Sequence, residues 1–245
     1  HKAYIFGYED KSVRANGNLT RAEAASMVTR LAGLDLSDTS KADYKDLKEK
    51  AWYLAPINAA LKAGMLDADG ENLRPDDKIT RAEFAKMLAA IDKENDYQSK
   101  FQDIKGHKYE KEINKIDGNK RIEGYEDGTF RPKEPMTRAQ FASMMANYLK
   151  LNVGNNPIEF KDVKENYWAS DAINALSSHG IMVGKSKNEF KPNDKITRAE
   201  AATIFNKVLD RKINKSFLDK YSKNPFKDLK RNHWAYYQVI EITAK

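Results

Sequence analysis

One tetrapeptide, repeated along a chain of 245 residues, constrains the fold more than any other feature. Thr-Arg-Ala-Glu stands at Thr20–Glu23, Thr80–Glu83 and Thr197–Glu200, and the variant Thr-Arg-Ala-Gln at Thr137–Gln140. The arginines are spaced by 60, 57 and 60 residues. Each motif opens a segment with apolar residues at helical spacing: Phe84, Met87, Leu88 and Ile91; Phe141, Met144, Met145 and Tyr148; Ala201, Ile204, Phe205 and Val208. Spacing of this kind gives a helix one buried face. A self-similar period of about 60 residues implies units that cannot bury that face alone and must stack on one another.

Other landmarks keep the same period. An Asp follows a polar linker at Asp46, Asp103, Asp162 and Asp228, and six residues later stands an aromatic: Trp52, Tyr109, Trp168 and Trp234. The aromatic opens a second helix, expected over residues 52–63 in one copy and ended by Gly64, as by Gly180 in another, where a left-handed residue is wanted. A Gly/Asp-rich turn and a short extended Phe-x-Pro segment, such as Phe130–Pro132, lead to the next Thr-Arg-Ala. Linkers fall at residues 36–43, 92–100, 152–159 and 210–225. The expected organisation is a partial repeat (its second half) at 1–43, whole repeats at 44–100, 101–159 and 160–225, and a partial repeat (its first half) at 226–245. The fold class is mainly α: tandem two-helix repeats with short extended loops.

Thr and Glu three residues apart form a capping box, so helix chemistry explains both. Arg is not explained this way, because the macrodipole disfavours a cation in the first turn by roughly 0.3–1 kcal/mol. Two readings of Arg21, Arg81, Arg138 and Arg198 stay open. Each is a structural clamp onto a neighbouring unit, or each presents planar donors to an anionic ligand, helped by backbone N–H groups of the helix N-terminus. The repeat aromatics are core or ligand platform on the same terms. A ring beside Arg and Asp has the composition of a sugar site, with the ring against the pyranose, Asp on hydroxyls and Arg on an acidic substituent. Tyr8 and Tyr125, in Gly-Tyr-Glu-Asp turns, are expected to be exposed.

Composition removes several function classes. There are 43 Lys+Arg against 36 Asp+Glu, a net charge of +7, without a basic tail. Nucleic-acid proteins concentrate basic residues on one face, so no nucleic-acid partner is expected and a few discrete anionic groups are. The absence of Cys excludes disulfides, zinc–thiolate sites and thiol nucleophiles. No apolar run reaches the ~18 residues of a membrane span. His1, His107, His179 and His233 lack metal-ligand spacing, and Asp67-Ala68-Asp69-Gly70 lacks the later ligands of a calcium loop. No phosphate loop, nucleophile elbow or catalytic dyad is present, so no catalytic residue, metal or cofactor is expected. A start at His1 without Met predicts a processed or excised fragment.

Taken together, Phe-x-Asp, Trp-Ala, Gly-Ile, Gly-x-x-Asp-Gly-x-Phe-x-Pro and Ile-Thr-Arg-Ala-Glu resemble the repeat of S-layer homology (SLH) domains. Phe160–Leu209 and Phe101–Leu149 carry the resemblance best. It implies a non-catalytic, secreted module of the bacterial cell surface, with repeats in a pseudo-threefold arrangement around a central helical bundle. It implies binding of secondary cell-wall polysaccharide, often bearing ketal-linked pyruvate, in grooves between repeats. The signature arginine corresponds to Arg21, Arg81, Arg138 and Arg198. The expected ligand-binding set adds Asp46, Asp103, Asp162, Asp228, Trp52, Tyr109, Trp168 and Trp234. The competing expectation is a structural or protein–protein module in which the arginines are inter-repeat clamps.

Overall fold

The computed structural model describes residues 5–125 and 127–243. Residues 1–4, Glu126 and residues 244–245, with His1 and the outer ends of both expected partial repeats, lie outside the described residues. Among the described residues there are nine helices and only isolated β-bridges, so the mainly α expectation holds.

Four helices begin at the signature arginines: α1 (Arg21–Leu31), α3 (Arg81–Ala89), α5 (Arg138–Leu149) and α7 (Arg198–Val208). In each, the preceding Thr is extended and its hydroxyl accepts the N–H of the third helical residue, whose side chain accepts the Thr N–H in return. All four expected capping boxes are therefore formed. These inner helices meet along their apolar faces. Buried Phe141 of α5 lies 6.2 Å from Phe84 of α3 and 6.4 Å from Phe205 of α7, centre to centre.

Four outer helices, α2 (Leu54–Lys62), α4 (Glu110–Gly118), α6 (Ser170–Ser178) and α9 (Tyr236–Thr243), pack against α1, α3, α5 and α7 respectively. Three of them, α2, α4 and α6, have no side-chain cap, and helical geometry starts one or two residues after the landmark aromatic. Gly64 and Gly180 end α2 and α6 with φ of 69° and 63°, a conformation that suits a residue without Cβ. The segment expected as a linker at 210–225 is partly helical: α8 (Lys215–Tyr221) is capped by Asn214 and held on α9 by buried Leu218.

The units connect in a cycle of four. The first two N–H groups of each inner helix donate to the turn before the next one: Arg21 and Ala22 to Asp77 and Pro75, Arg81 and Ala82 to Glu134 and Pro132, Arg138 and Ala139 to Asp194 and Pro192. Arg198 and Ala199 return to Gly17 and Ala15, which closes the ring. The bridges Thr20–Lys78, Thr80–Pro135, Thr137–Lys195 and Asn18–Thr197 mark the same four junctions. The threefold-like arrangement expected from the resemblance is not found. The reason is that residues 5–31 bring a fourth inner helix together with the turn that receives α7.

The landmark aspartates fasten each unit internally. Asp46 accepts the N–H groups of Leu73 and Arg74, Asp103 those of Phe130 and Arg131, and Asp162 those of Phe190 and Lys191, at 2.6–2.9 Å. The second residue of each pair has a left-handed φ of 52–59°, so two successive N–H groups point at one carboxylate. Asp228 does the same for Val13 and Arg14, 2.8 Å each, across 215 positions of sequence. Val13, Ala15, Ala199, Leu218, Phe226, Leu229, Ala235, Tyr236, Val239 and Ile240 form their own apolar cluster at this seam between the two ends of the chain.

A ring of buried arginines beneath the inter-repeat clefts

The signature arginines are buried, with 2%, 0%, 1% and 3% of their surface exposed for Arg21, Arg81, Arg138 and Arg198. Each reaches out of its own helix into the unit ahead. The Nε groups donate to the carbonyls of Leu73, Phe130, Phe190 and Val13, at 2.6–3.0 Å. The Nη2 groups donate to the carbonyls of Asp67, Glu123, Val183 and Phe6, at 2.7–3.0 Å. A planar fork with five donors can serve two carbonyls and a carboxylate at once, which a Lys cannot.

The remaining donor, Nη1, meets the capping residue of the next helix. Arg21 pairs with Glu83 at 2.5 Å, Arg138 with Glu200 at 2.6 Å, and Arg198 with Glu23. The capping glutamates therefore act twice: one oxygen caps the helix and the other neutralises the incoming arginine. The sequence showed only the first role. Arg74 and Lys185 add a second cation to Glu83 and Glu200 respectively. Burial raises the cost of ionising Glu83, but the Arg21 charge, the Thr80 N–H and Arg74 outweigh it and hold the carboxyl below its ordinary range.

The third junction differs. The residue that caps α5 there is Gln140 instead of Glu, and among the described residues Arg81 Nη1 has no hydrogen-bond partner. Burial pushes the Arg81 guanidinium down to about 10, with Tyr125 opposing the shift. Burial also lowers Arg138 and Arg198, against the opposing pull of Glu200 and Tyr8 respectively.

Three open clefts lie along the junctions, and Arg198 and Arg138 line two of them. The first cleft, about 310 Å³, has Tyr8, Glu23, Lys48, Trp52 and Arg198 on its walls. The third, about 340 Å³, has Tyr125, Asp127, Arg131, Gln140 and Trp168. The fourth, about 230 Å³, has Arg138, Lys185, Glu200, Ile204 and Trp234. In the second, Tyr109 is 2% exposed and lies against Asp67 and Lys86, so its own side chains fill the space. Burial, reinforced by Asp67, pushes the Tyr109 hydroxyl pKa up.

The expected site residues therefore part company. Trp52 and Trp168 are half-buried cleft walls, Trp52 stacking on Phe6 at 5.2 Å, whereas Trp234 is 57% exposed at the rim of the fourth cleft. Asp46, Asp103, Asp162 and Asp228 hold backbone N–H groups, as described above. The helix N-termini cannot supply N–H donors to a ligand, because carbonyls of the next unit and the Thr hydroxyl already take them. Tyr8 and Tyr125 are half-buried rather than exposed, each beside two guanidiniums. Arg14 and Arg198 lie 3.8 and 5.0 Å from the Tyr8 ring centre, and Arg131 and Arg81 lie 3.8 and 5.2 Å from that of Tyr125. Sequence reasoning missed these rim arginines; the signal was the cation that follows Val13, Leu73, Phe130 and Phe190 at the same place in every repeat. Among the described residues no cluster of three or more potential metal ligands occurs, and no helix is long and apolar enough to cross a membrane.

A closed set of two-helix repeats with an arginine passed from each to the next, and clefts over the junctions, defines a repeat-built binding or docking module. The chain belongs to the S-layer homology domain family, whose model matches residues 2–25, 43–85, 100–142 and 159–202. It is 34% identical over 212 residues to cell surface glycoprotein 1 of Acetivibrio thermocellus, covering 78% of this chain and 9% of that protein. It is 31% identical over 203 residues to a cellulosome-anchoring protein of the same organism, covering 77% of this chain and 45% of that protein. An S-layer protein of Bacillus thuringiensis subsp. finitimus is 28% identical over 199 residues, covering 78% of this chain and 24% of that protein. The chain thus spans less than half the length of each of these relatives. The secreted, wall-associated location expected from the sequence agrees with the company these proteins keep.

Proposed function

We propose that the chain is a non-catalytic module that anchors its parent protein to the bacterial cell wall by binding a pyruvylated secondary cell-wall polysaccharide in clefts between repeats. The observation that carries this reading is the third cleft. It has the Trp168 and Tyr125 rings and the Arg131 guanidinium on its walls. An aromatic face suits a pyranose ring, and a pyruvate ketal is a carboxylate fixed on a sugar, the group that a guanidinium binds with two parallel hydrogen bonds. Family membership and the anchoring relative support the same class. The test is co-sedimentation of the protein with purified wall polysaccharide before and after removal of its pyruvate ketals. Retention by the native glycan and loss with the depyruvylated form is expected; equal retention by both refutes the role of the acid.

The alternative, a structural module whose arginines are clamps, has its own support. Arg21, Arg138 and Arg198 are fully engaged with the next unit. Both readings hold together if these three arginines fasten the ring and Arg131 in the cleft wall meets the ligand.

A further inference from the structure

We infer that α8 and the lysines around it form a docking face for an anionic phospholipid surface, with the Phe217 and Tyr221 rings entering the headgroup region. The charge of the chain is concentrated here. Residues 211–231 carry eight Lys+Arg against two Asp, which is six of the seven surplus positive charges. The linkers at 36–43, 92–100 and 152–159 each carry one more acid than base, and none of them forms a helix. The last linker forms α8, and its inner side is fixed. Leu218 is buried in the cluster shared with α9, and Asp219 accepts the Tyr237 hydroxyl at 3.1 Å and pairs with Arg231 at 2.7 Å. Spacing of four puts Phe217 and Tyr221 together on an outward face, 54% and 62% exposed, with ring centres 4.8 Å apart. Lys220 Nζ lies 5.1 Å from the centre of the Tyr221 ring. Lys212, Lys215, Lys220 and Lys223 are all exposed, and none has an ion-pair partner among the described residues.

Shape and the two rings decide the partner. No α8 residue lines any of the clefts described above, so this face is an open surface rather than a pocket for a small ligand. A soluble polyanion would satisfy the lysines and leave the Phe217 ring in water. A bilayer takes both. Aromatic rings settle at the boundary of headgroups and acyl chains, while anionic headgroups attract the lysines, whose long stems let the ammonium groups stay in the headgroup layer. Asp219, the acid of the helix, is already tied to Arg231. The contact is peripheral, with the helix lying on the surface and not crossing it. It uses none of the residues that line the polysaccharide clefts and does not depend on the function proposed for them.

The experiment is flotation of the whole chain with vesicles of phosphatidylcholine alone and of an equimolar mixture of phosphatidylcholine and phosphatidylglycerol, without glycan. Wild type, K220Q and F217S/Y221S are compared, and binding to inorganic polyphosphate is measured alongside. The wild type is expected to float with the anionic vesicles and not with the neutral ones. K220Q is expected to lose about fivefold in partitioning, the share of one lysine near an anionic surface. F217S/Y221S is expected to lose about tenfold or more although every charge is kept. The replaced side chains are exposed and Leu218 holds the helix, so both variants are expected to melt with the wild type. Absence of flotation with the anionic vesicles, equal flotation with the neutral ones, or binding that F217S/Y221S retains in full overturns the inference. Polyphosphate bound as tightly as the vesicles assigns the face to a soluble polyanion and overturns it too. So does a wild-type dimer in sedimentation velocity that F217S/Y221S loses, since the rings would then face a second copy.

Discussion

The four arginines share a motif but not an energetic role, and alanine replacement separates them. Arg198→Ala strands Glu23, which has no exposed surface and, among the described residues, no second cation. Removing one partner of a buried pair typically costs about 3–5 kcal/mol, because the other charge is left desolvated and alone. The carbonyls of Val13 and Phe6 lose their donors as well. Arg81→Ala strands no carboxylate among the described residues, since the residue that caps α5 at that junction is Gln140 instead of Glu. It gives up the bonds to Phe130 and Glu123 but also removes an unbalanced buried charge. The expected difference between the two variants is about 2 kcal/mol or more, with Arg198→Ala the less stable. For a chain of this size 1 kcal/mol moves the melting temperature by about 2–4 °C, so the gap is about 4–8 °C or wider. Urea unfolding followed by far-UV circular dichroism and by Trp fluorescence measures it, and coincident transitions establish that one free energy describes each variant. Adding Glu23→Gln to Arg198→Ala should recover part of the loss. Equal costs for the two arginines, or a larger cost for Arg81→Ala, refutes the assignment of buried charge made from the structure.

Asp228→Ala should destabilise the seam by about 3 kcal/mol, since hydrogen bonds to a charged acceptor contribute about 1.5–3 kcal/mol each and two are lost; hydrogen exchange at the Val13 and Arg14 amides should accelerate, and unchanged protection there counts against the assignment. Acid should weaken the second junction: Glu83 is held below its ordinary 4.5, so its contribution is complete above that value and fades as pH falls through the depressed one. Comparing urea midpoints of the wild type and Glu83→Gln from pH 6 to pH 3 checks this, the two curves converging at low pH. Gly124→Ala should cost about 1–3 kcal/mol, because a Cβ there would lie 2.2 Å from the Phe101 ring, and a midpoint within error of the wild type would contradict that crowding.

Local chemistry was legible in the sequence, and closure was not. The four capping boxes, the inner helices and the glycine stops depend on residues within a turn of one another, so the pattern of Thr, Glu and Gly was enough. The second role of Glu23, Glu83 and Glu200 needs a partner from another unit, and a capping residue looks the same whether or not a guanidinium arrives. The backbone partners of the aspartates lie 27 or more residues away, and nothing local reveals that two N–H groups will turn toward them. Tyr109 was grouped with the three tryptophans by its place in the repeat, yet Asp67 and Lys86 of the preceding turn and helix cover it. The threefold expectation is not confirmed, for a related reason: counting whole repeats hides that two partial ones can form a fourth junction.

The seam also sets an order of events. Val13 and Asp228 are joined across 215 positions. When the chain emerges N-terminus first, α1 and its turn wait until Asp228 has appeared before their last partner arrives. Short-range pairs such as α1 with α2, α3 with α4 and α5 with α6 are available earlier, because loop closure costs grow with separation. A molecule cut short before Asp228 lacks the carboxylate that receives the Val13 and Arg14 N–H groups and the Leu229, Ala235, Tyr236, Val239 and Ile240 part of the cluster that covers Val13 and Ala15.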